Sequence, residues 1–177
     1  QILGCPIALE NDAKAGALYQ AHFVKDTFSE VLYIAIGTGI GVAYVSNGIL
    51  DRSHGDDGGS AIMIKQPDGQ TISWDHLTSG KAIVATFGKK ASELTDPEAW
   101  KTIAHNLSLG LVQVLGMYRP QVIIFGGGVG AHLDKYKSYL QEELQRALPN
   151  GSTPEIRMGD KPEESVLYGC LHLARNL

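Results

Sequence analysis

The chain has 177 residues, of which 44% are apolar and 19% charged, with a formal net charge of -4. That length and balance suit a folded domain with a real core and exclude a disordered segment. The acidic excess, with no basic run longer than Lys89-Lys90, argues against a surface that neutralises nucleic-acid phosphates.

In chain order, residues 5–9 form a short apolar strand candidate that ends in Glu10-Asn11-Asp12. Ala13, Ala15, Ala17 and Leu18 then begin a helix with Asn11 or Asp12 as its N-cap. Residues 31–36 carry a buried-strand pattern and residues 41–46 a second, and Asn47-Gly48 fits a two-residue hairpin turn that needs positive φ. The stretch 51–60, DRSHGDDGGS, reads as a polar glycine-rich loop, followed by a third strand candidate at 61–64. A short helical insertion is expected around residues 74–77 and 79–87.

From Asp96 the period changes. Asp96 can cap, Pro97 suits the first helical position, and Trp100, Ile103, Ala104, Leu107, Leu111, Val114, Leu115 and Tyr118 share one face. Such a helix runs about 34 Å and stops before Pro120. Residues 121–125 form a strand and 126–128 a glycine turn. Leu133, Tyr136, Leu140, Leu144 and Leu148 mark a helix, 155–158 a last strand, and Val166, Leu167, Cys170, Leu171 and Ala174 a closing helix. After residue 30 the order is βββαβαβα. It predicts an α/β domain, a mixed five-stranded sheet with helices on its faces.

Cys5 and Cys170 match neither a disulfide framework nor a zinc knuckle, and reduced cytoplasmic thiols are the plainer reading. No apolar run approaches the roughly 18 residues of a membrane helix, so a cytoplasmic protein without membrane partners is expected. The first residue is Gln1, directly before an apolar stretch, which suggests a fragment.

The segment Leu32 to Leu50, LYIAIGTGIGVAYVSNGIL, holds three glycines at alternate positions between two apolar runs. A dinucleotide loop needs G-x-G-x-x-G leading into a helix, but position 42 is valine and a strand follows. A Walker loop needs Gly-Lys-Ser/Thr, which Gly41-Val42 does not supply. What remains is a tight turn, residues 37–41, whose backbone N–H groups and Thr38 hydroxyl can converge on an anion. An ordinary glycine hairpin is the plainer alternative.

Phosphate loops of this strand-turn-strand kind belong to the actin-like ATPase and sugar kinase superfamily. Within it, the chain resembles the second half of the ROK (repressor, open reading frame, kinase) family of glucokinase-like proteins. Four segments carry the resemblance in the family's order. Glu10-Asn11-Asp12-Ala13-Lys14-Ala15 is similar to its E-N-D-A-N-A motif, and Ile36-Gly37-Thr38-Gly39-Ile40-Gly41 to its second phosphate loop. Val122-Ile123-Ile124-Phe125-Gly126-Gly127-Gly128 resembles the adenosine-side turn, and Tyr168-Gly169-Cys170-Leu171 the closing G-A-A helix.

The resemblance implies an ATP-dependent hexose kinase. Asp12 would be the base that accepts the proton of the attacking sugar hydroxyl, and Asn11 would hold a hydroxyl with its amide. Gly37, Thr38, Gly39 and Gly41 would bind phosphate, and Gly126, Gly127 and Gly128 would let adenine and ribose lie against backbone. Plain helix capping by Asn11 and Asp12, and a plain strand-to-helix turn at 126–128, are the bland alternatives. Mg²⁺ would arrive with ATP, held by phosphates and waters more than by side chains.

The chain also departs from the family pattern. Lys14 stands where the family usually has asparagine. The family's sugar-gripping loop reads G-E-x-G-H; placed by its glycines, Asp57 stands for the glutamate and Ser60 for the histidine. A second register, counted back from Pro67-Asp68-Gly69, puts Gly59 and Ile62 there instead. The family's cysteine-rich zinc motif is missing, so zinc is expected to be absent. Residues 74–80, Trp74-Asp75-His76-Leu77-Thr78-Ser79-Gly80, resemble its W-E-x-x-x-S-G. His22, His54, His76, His105, His132 and His172 show no ligand spacing and read as surface or partly buried side chains.

The family's first phosphate loop, D-x-G-G-T, has no match. Residues 1–177 are therefore expected to be a single domain, the C-terminal lobe of a two-lobe kinase, with 1–25 as interlobe strand and helix and the N-terminal lobe absent. Such a lobe should bind ATP weakly and transfer phosphate poorly. Two other readings stay open. One is the sugar-sensing lobe of a ROK repressor, whose DNA reading would lie in another segment. The other is a degenerate lobe kept for assembly, with the long apolar helix as a homodimer surface.

Overall fold

The computed structural model describes residues 4–53, 55–148 and 153–175. Its helices are α1 (Asp12–Val24), α2 (Trp74–Thr78), α3 (Gly80–Phe87), α4 (Pro97–Met117), α5 (Gly127–Gly130), α6 (Leu133–Ala147) and α7 (Ser165–Arg175). Its strands are β1 (Glu30–Ile36), β2 (Ile40–Ser46), β3 (Ile49–Leu50), β4 (Met63–Lys65), β5 (Thr71–Ser73), β6 (Val122–Gly126) and β7 (Glu155–Met158).

Five strands form one mixed sheet in the order β3-β2-β1-β6-β7. β1 pairs antiparallel with β2, with Ile36 opposite Ile40, and parallel with β6, with Ala35 opposite Gly126. β6 continues parallel to β7. The α/β architecture expected from the alternating pattern is therefore present, with helices on both faces.

Period-two alternation divides the core. Val31 and Tyr33 of β1 and Val122 and Ile124 of β6 pack with Ala17, Ala21 and Val24 of α1. Leu32, Ile34, Ile36, Ile123 and Phe125 point the other way, into a larger cluster with Ile103, Leu107 and Leu111 of α4 and Tyr136, Leu140 and Leu144 of α6. α4 starts where expected: Asp96 accepts the Glu98 N–H at 3.0 Å and Pro97 fills the first turn.

Two strand expectations need correction. Residues 5–9 join no sheet and Ile7 and Leu9 are exposed, so among the described residues the apolar run before Asn11 has no partner strand to satisfy its backbone. The third strand of the main sheet is Ile49–Leu50, set by the Asn47-Gly48 turn. The strand expected at 61–64 lies two residues later, as β4, and pairs with β5 in a separate hairpin. Polar turn residues 66–70 close that hairpin, which places Trp74 beneath α4: its ring would lie 2.1 Å from a Cβ at Gly110.

Candidate functional site

Because β1, β6 and β7 run parallel, their carboxyl ends release three loops at one edge of the sheet. Ligands of open α/β sheets bind at that edge. β1 releases Gly37, β6 releases Gly127, and β7 releases the 159–164 turn. The Gly37 carbonyl accepts the Gly80 N–H at 2.7 Å, which pins the first loop to the start of α3. Gly127 has φ of +78°, donates to the Pro162 carbonyl at 2.7 Å, and leaves only 2.5 Å between a Cβ and the Ile36 oxygen. Only glycine fits there.

α1 brings Asp12 to the same edge. Gly41, the second residue of β2, would place a Cβ 2.5 Å from that of Ala13, so the first turn of α1 lies directly on the loop. Asp12 is exposed, and its Oδ1 accepts the Ala13 N–H at 2.7 Å. Asn11 is the N-cap, accepting the Lys14 N–H at 3.2 Å through Oδ1.

These loops enclose a cleft of about 400 Å³ lined by Asp12, Gly37, Thr38, Gly39 and Gly41, and by Asp57 and Ser60 from the 51–60 loop. A second pocket of about 490 Å³ shares Gly37, Thr38 and Glu163 with it. Ile36, Val84 and Val129 give that pocket apolar walls, and Lys81, Lys90, Ser92 and Gly128 complete it.

The anticipated residues thus fall unequally. Asp12, Asp57, Ser60, Gly127 and the residues of the 37–41 loop line the cleft, and Gly128 lines the adjoining pocket. Gly126 lines neither; it ends β6 against Tyr33, whose hydroxyl would stand 2.2 Å from a Cβ there. Asn11 is not among the lining residues of the cleft, and its side-chain oxygen serves the helix cap. Gly59 is buried on β2, and Ile62 packs against the core. Of the histidines, His22, His76 and His105 are exposed and His132 and His172 half-buried, while His54 lies outside the described residues. Among the described residues no cluster of three or more histidine, cysteine or acidic side chains could hold a metal ion.

Several site residues escaped sequence reasoning. Asp75 lines the cleft, and its carboxylate accepts the Ile40 N–H. It lies inside the Trp74–Gly80 resemblance, which gave it no role. Tyr33 floors the cleft from a strand whose other residues are all apolar apart from Glu30, so no local signal marks it. Burial raises its pKa, a hydrogen bond with Ser165 opposes that rise, and the nearby Asp12 charge adds to it. Glu163 faces both pockets from the turn before α7, a turn held by Gln20, whose amide bonds Asp160 at both ends.

A parallel-edged sheet with a glycine turn and a carboxylate across one cleft is the arrangement of the actin-like sugar kinase fold. The chain belongs to the ROK family, whose profile matches residues 1–176. It is 26% identical over 192 aligned positions to a fructokinase of Streptococcus mutans, an alignment covering 97% of this chain and 64% of that protein. It is 25% identical over 146 positions to the xylose repressor of Bacillus subtilis, covering 70% of this chain and 38% of the repressor. A ROK glucokinase of Streptomyces griseus, solved with glucose and AMPPNP, superposes with a TM-score of 0.82 at 20% identity, over 99% of this chain and 70% of that one. The chain thus spans between 38% and 64% of the two curated relatives.

Proposed function

We propose that the chain is the C-terminal lobe of an ATP-dependent sugar kinase that transfers the γ-phosphoryl group to a hexose hydroxyl. The observation that carries this reading is the convergence of Asp12, the 37–41 loop and Asp57 with Ser60 on one cleft, next to a pocket with apolar walls. A phosphoryl acceptor needs a carboxylate within hydrogen-bond reach, and the transferred group needs fixed backbone donors.

In this reading the sugar hydroxyl gives its proton to Asp12 as its oxygen bonds to the γ-phosphorus and the bond to the bridging oxygen of ADP breaks. Residues 37–41 cradle the phosphates through backbone N–H groups and the Thr38 hydroxyl. The adenosine lies in the adjoining pocket against Val84, Val129 and Gly128, with Lys81 and Lys90 offsetting phosphate charge. Asp57 and Ser60, both in the cleft lining, grip sugar hydroxyls. Mg²⁺ would enter with ATP, held by phosphates and waters more than by side chains. The lobe alone binds nucleotide but turns over slowly, because the facing phosphate loop of the family lies in another lobe.

Calorimetric titration of this chain with Mg-ATP tests the shared nucleotide site. Heat and a thermal upshift at millimolar ATP, both reduced by a charge at the exposed pocket wall, Val84→Glu, support the reading; no heat and no shift count against it. A sugar-sensing repressor lobe is the second reading. The similarity to a xylose repressor favours it, as does the replacement of the usual sugar-loop glutamate and histidine by Asp57 and Ser60.

A further inference from the structure

Two ion pairs of opposite polarity bracket Asn11 and Asp12. On one side the Glu10 carboxylate pairs with the Arg52 guanidinium; on the other the Lys14 ammonium meets Asp56 Oδ1 at 2.7 Å. In each pair the buried member belongs to the entry or first turn of α1: the Glu10 side chain is 7% exposed and that of Lys14 8%. The exposed members, Arg52 at 62% and Asp56 at 61%, both belong to the 51–60 loop. A charge so far from water is costly without a partner, and here one loop supplies a partner for each sign.

The end of that loop has another anchor. Gly59 is buried, and a Cβ on Gly58 would fall 2.4 Å from the Ile40 oxygen, so residues 58–60 lie directly on β2. The described residues between 52 and 57 are exposed, and packing does not hold them. Asp57 is tied to the packed turn by the Ser60 N–H and hydroxyl, which donate to its carbonyl at 3.0 and 2.6 Å, while Arg52 and Asp56 are held by the ion pairs.

We propose that the two pairs form a clasp that holds Arg52 and residues 55–57 over the cleft and orients Asp57 for a hexose beside Ser60, which packing on β2 already fixes. The proposal rests on the sugar-kinase reading. Glu10, Arg52 and Lys14 act as positioning residues, outside the cleft lining, and with Asp56, which itself lines the cleft, they couple the sugar-side loop to the segment that carries the base. The clasp also gives Lys14 a purpose where the resemblance implies asparagine. A neutral amide could not hold a loop carboxylate with comparable strength.

Trypsin cleavage after Arg52 reports opening of the loop, because the protease needs an extended, released segment. In this chain, Asp56→Asn and Glu10→Gln should each speed that cleavage on the order of tenfold, as loss of a partner to a buried charge implies. Asp56→Glu should restore the original rate, and cleavage after Lys101 and Arg146 should not change. D-fructose or D-glucose at millimolar concentration should slow cleavage in the parent chain, with the required concentration raised about tenfold in Glu10→Gln, whose side chain lies outside the cleft lining. Unchanged cleavage in both charge-removing variants overturns the clasp. Faster cleavage with unaltered sugar protection overturns its role in positioning the sugar loop. If no hexose protects the parent chain while the variants still open, the clasp stands and the sugar-kinase reading falls.

Discussion

Asp75 and Ile40 lie 35 residues apart, yet the Asp75 carboxylate accepts the Ile40 N–H inside the glycine loop. The same carboxylate would stand 3.1 Å from a Cβ on Gly39, so the side chain presses against the loop as well as bonding it. α2 thereby sets the shape of the turn between β1 and β2. The loop is fixed from outside before any anion arrives.

Asp75→Ala is expected to leave the Ile40 N–H without its charged acceptor. A hydrogen bond to a charged group contributes about 1.5–3 kcal/mol, so nucleotide affinity should fall by about tenfold or more. Asp75→Asn keeps one acceptor oxygen and should lose less. Titration of both variants with Mg-ATP, beside far-UV circular dichroism to establish folding, checks the order.

Gly41→Ala should be destabilising out of proportion to one methyl group. Its Cβ would meet that of Ala13 at 2.5 Å, forcing the first turn of α1 off the loop. Overpacking of this kind costs typically about 1–3 kcal/mol. Denaturant unfolding gives the loss, and a variant as stable as the parent would show that α1 adjusts without cost.

Tyr136 gives a prediction in the opposite direction. Its ring is fully buried, stacked on Trp100 and edge-on to Phe125, and its hydroxyl has no hydrogen-bond partner among the described residues. A buried polar group left unpaired costs about 1–3 kcal/mol. Tyr136→Phe should therefore raise the melting temperature, by about 2–4 °C for each kcal/mol recovered.

Alkaline pH should weaken the fold through the same residue and through Tyr33. Burial raises both phenols above their ordinary value of 10.0, and the Asp12 charge adds to the rise at Tyr33. The folded state therefore holds these protons more tightly than the unfolded chain. Their contribution is fully present below about pH 10 and is lost as pH climbs through the raised folded values. Unfolding free energies measured from pH 8 to pH 11 should be level at first and then fall. Tyr136→Phe should make the fall shallower.

Much of this molecule was legible in local sequence. The three-and-four spacing from Trp100 to Val114 gave α4, the Asn47-Gly48 pair gave the β2–β3 turn, and the apolar runs at 31–36 and 121–125 gave β1 and β6. Residues 5–9 misled because apolarity alone does not provide a partner strand. The third strand was misplaced because Ile49–Leu50 is two residues long, too short for periodicity to register. At the site, glycines and the Asn11-Asp12 pair announced themselves through spacing and resemblance. Asp75, Tyr33 and Glu163 did not, because each reaches the cleft through tertiary folding. The burial of Lys14 and Glu10 was equally hidden, since their partners lie about 40 residues away in sequence.

Turnover by the complete protein decides the role of Asp12. With ATP and a hexose that the parent phosphorylates, Asp12→Asn should lower kcat about 10²- to 10⁴-fold, the range for a positioned general base, while leaving ATP affinity close to that of the parent. Undiminished turnover in Asp12→Asn would remove Asp12 from the chemistry and contradict the site as assigned.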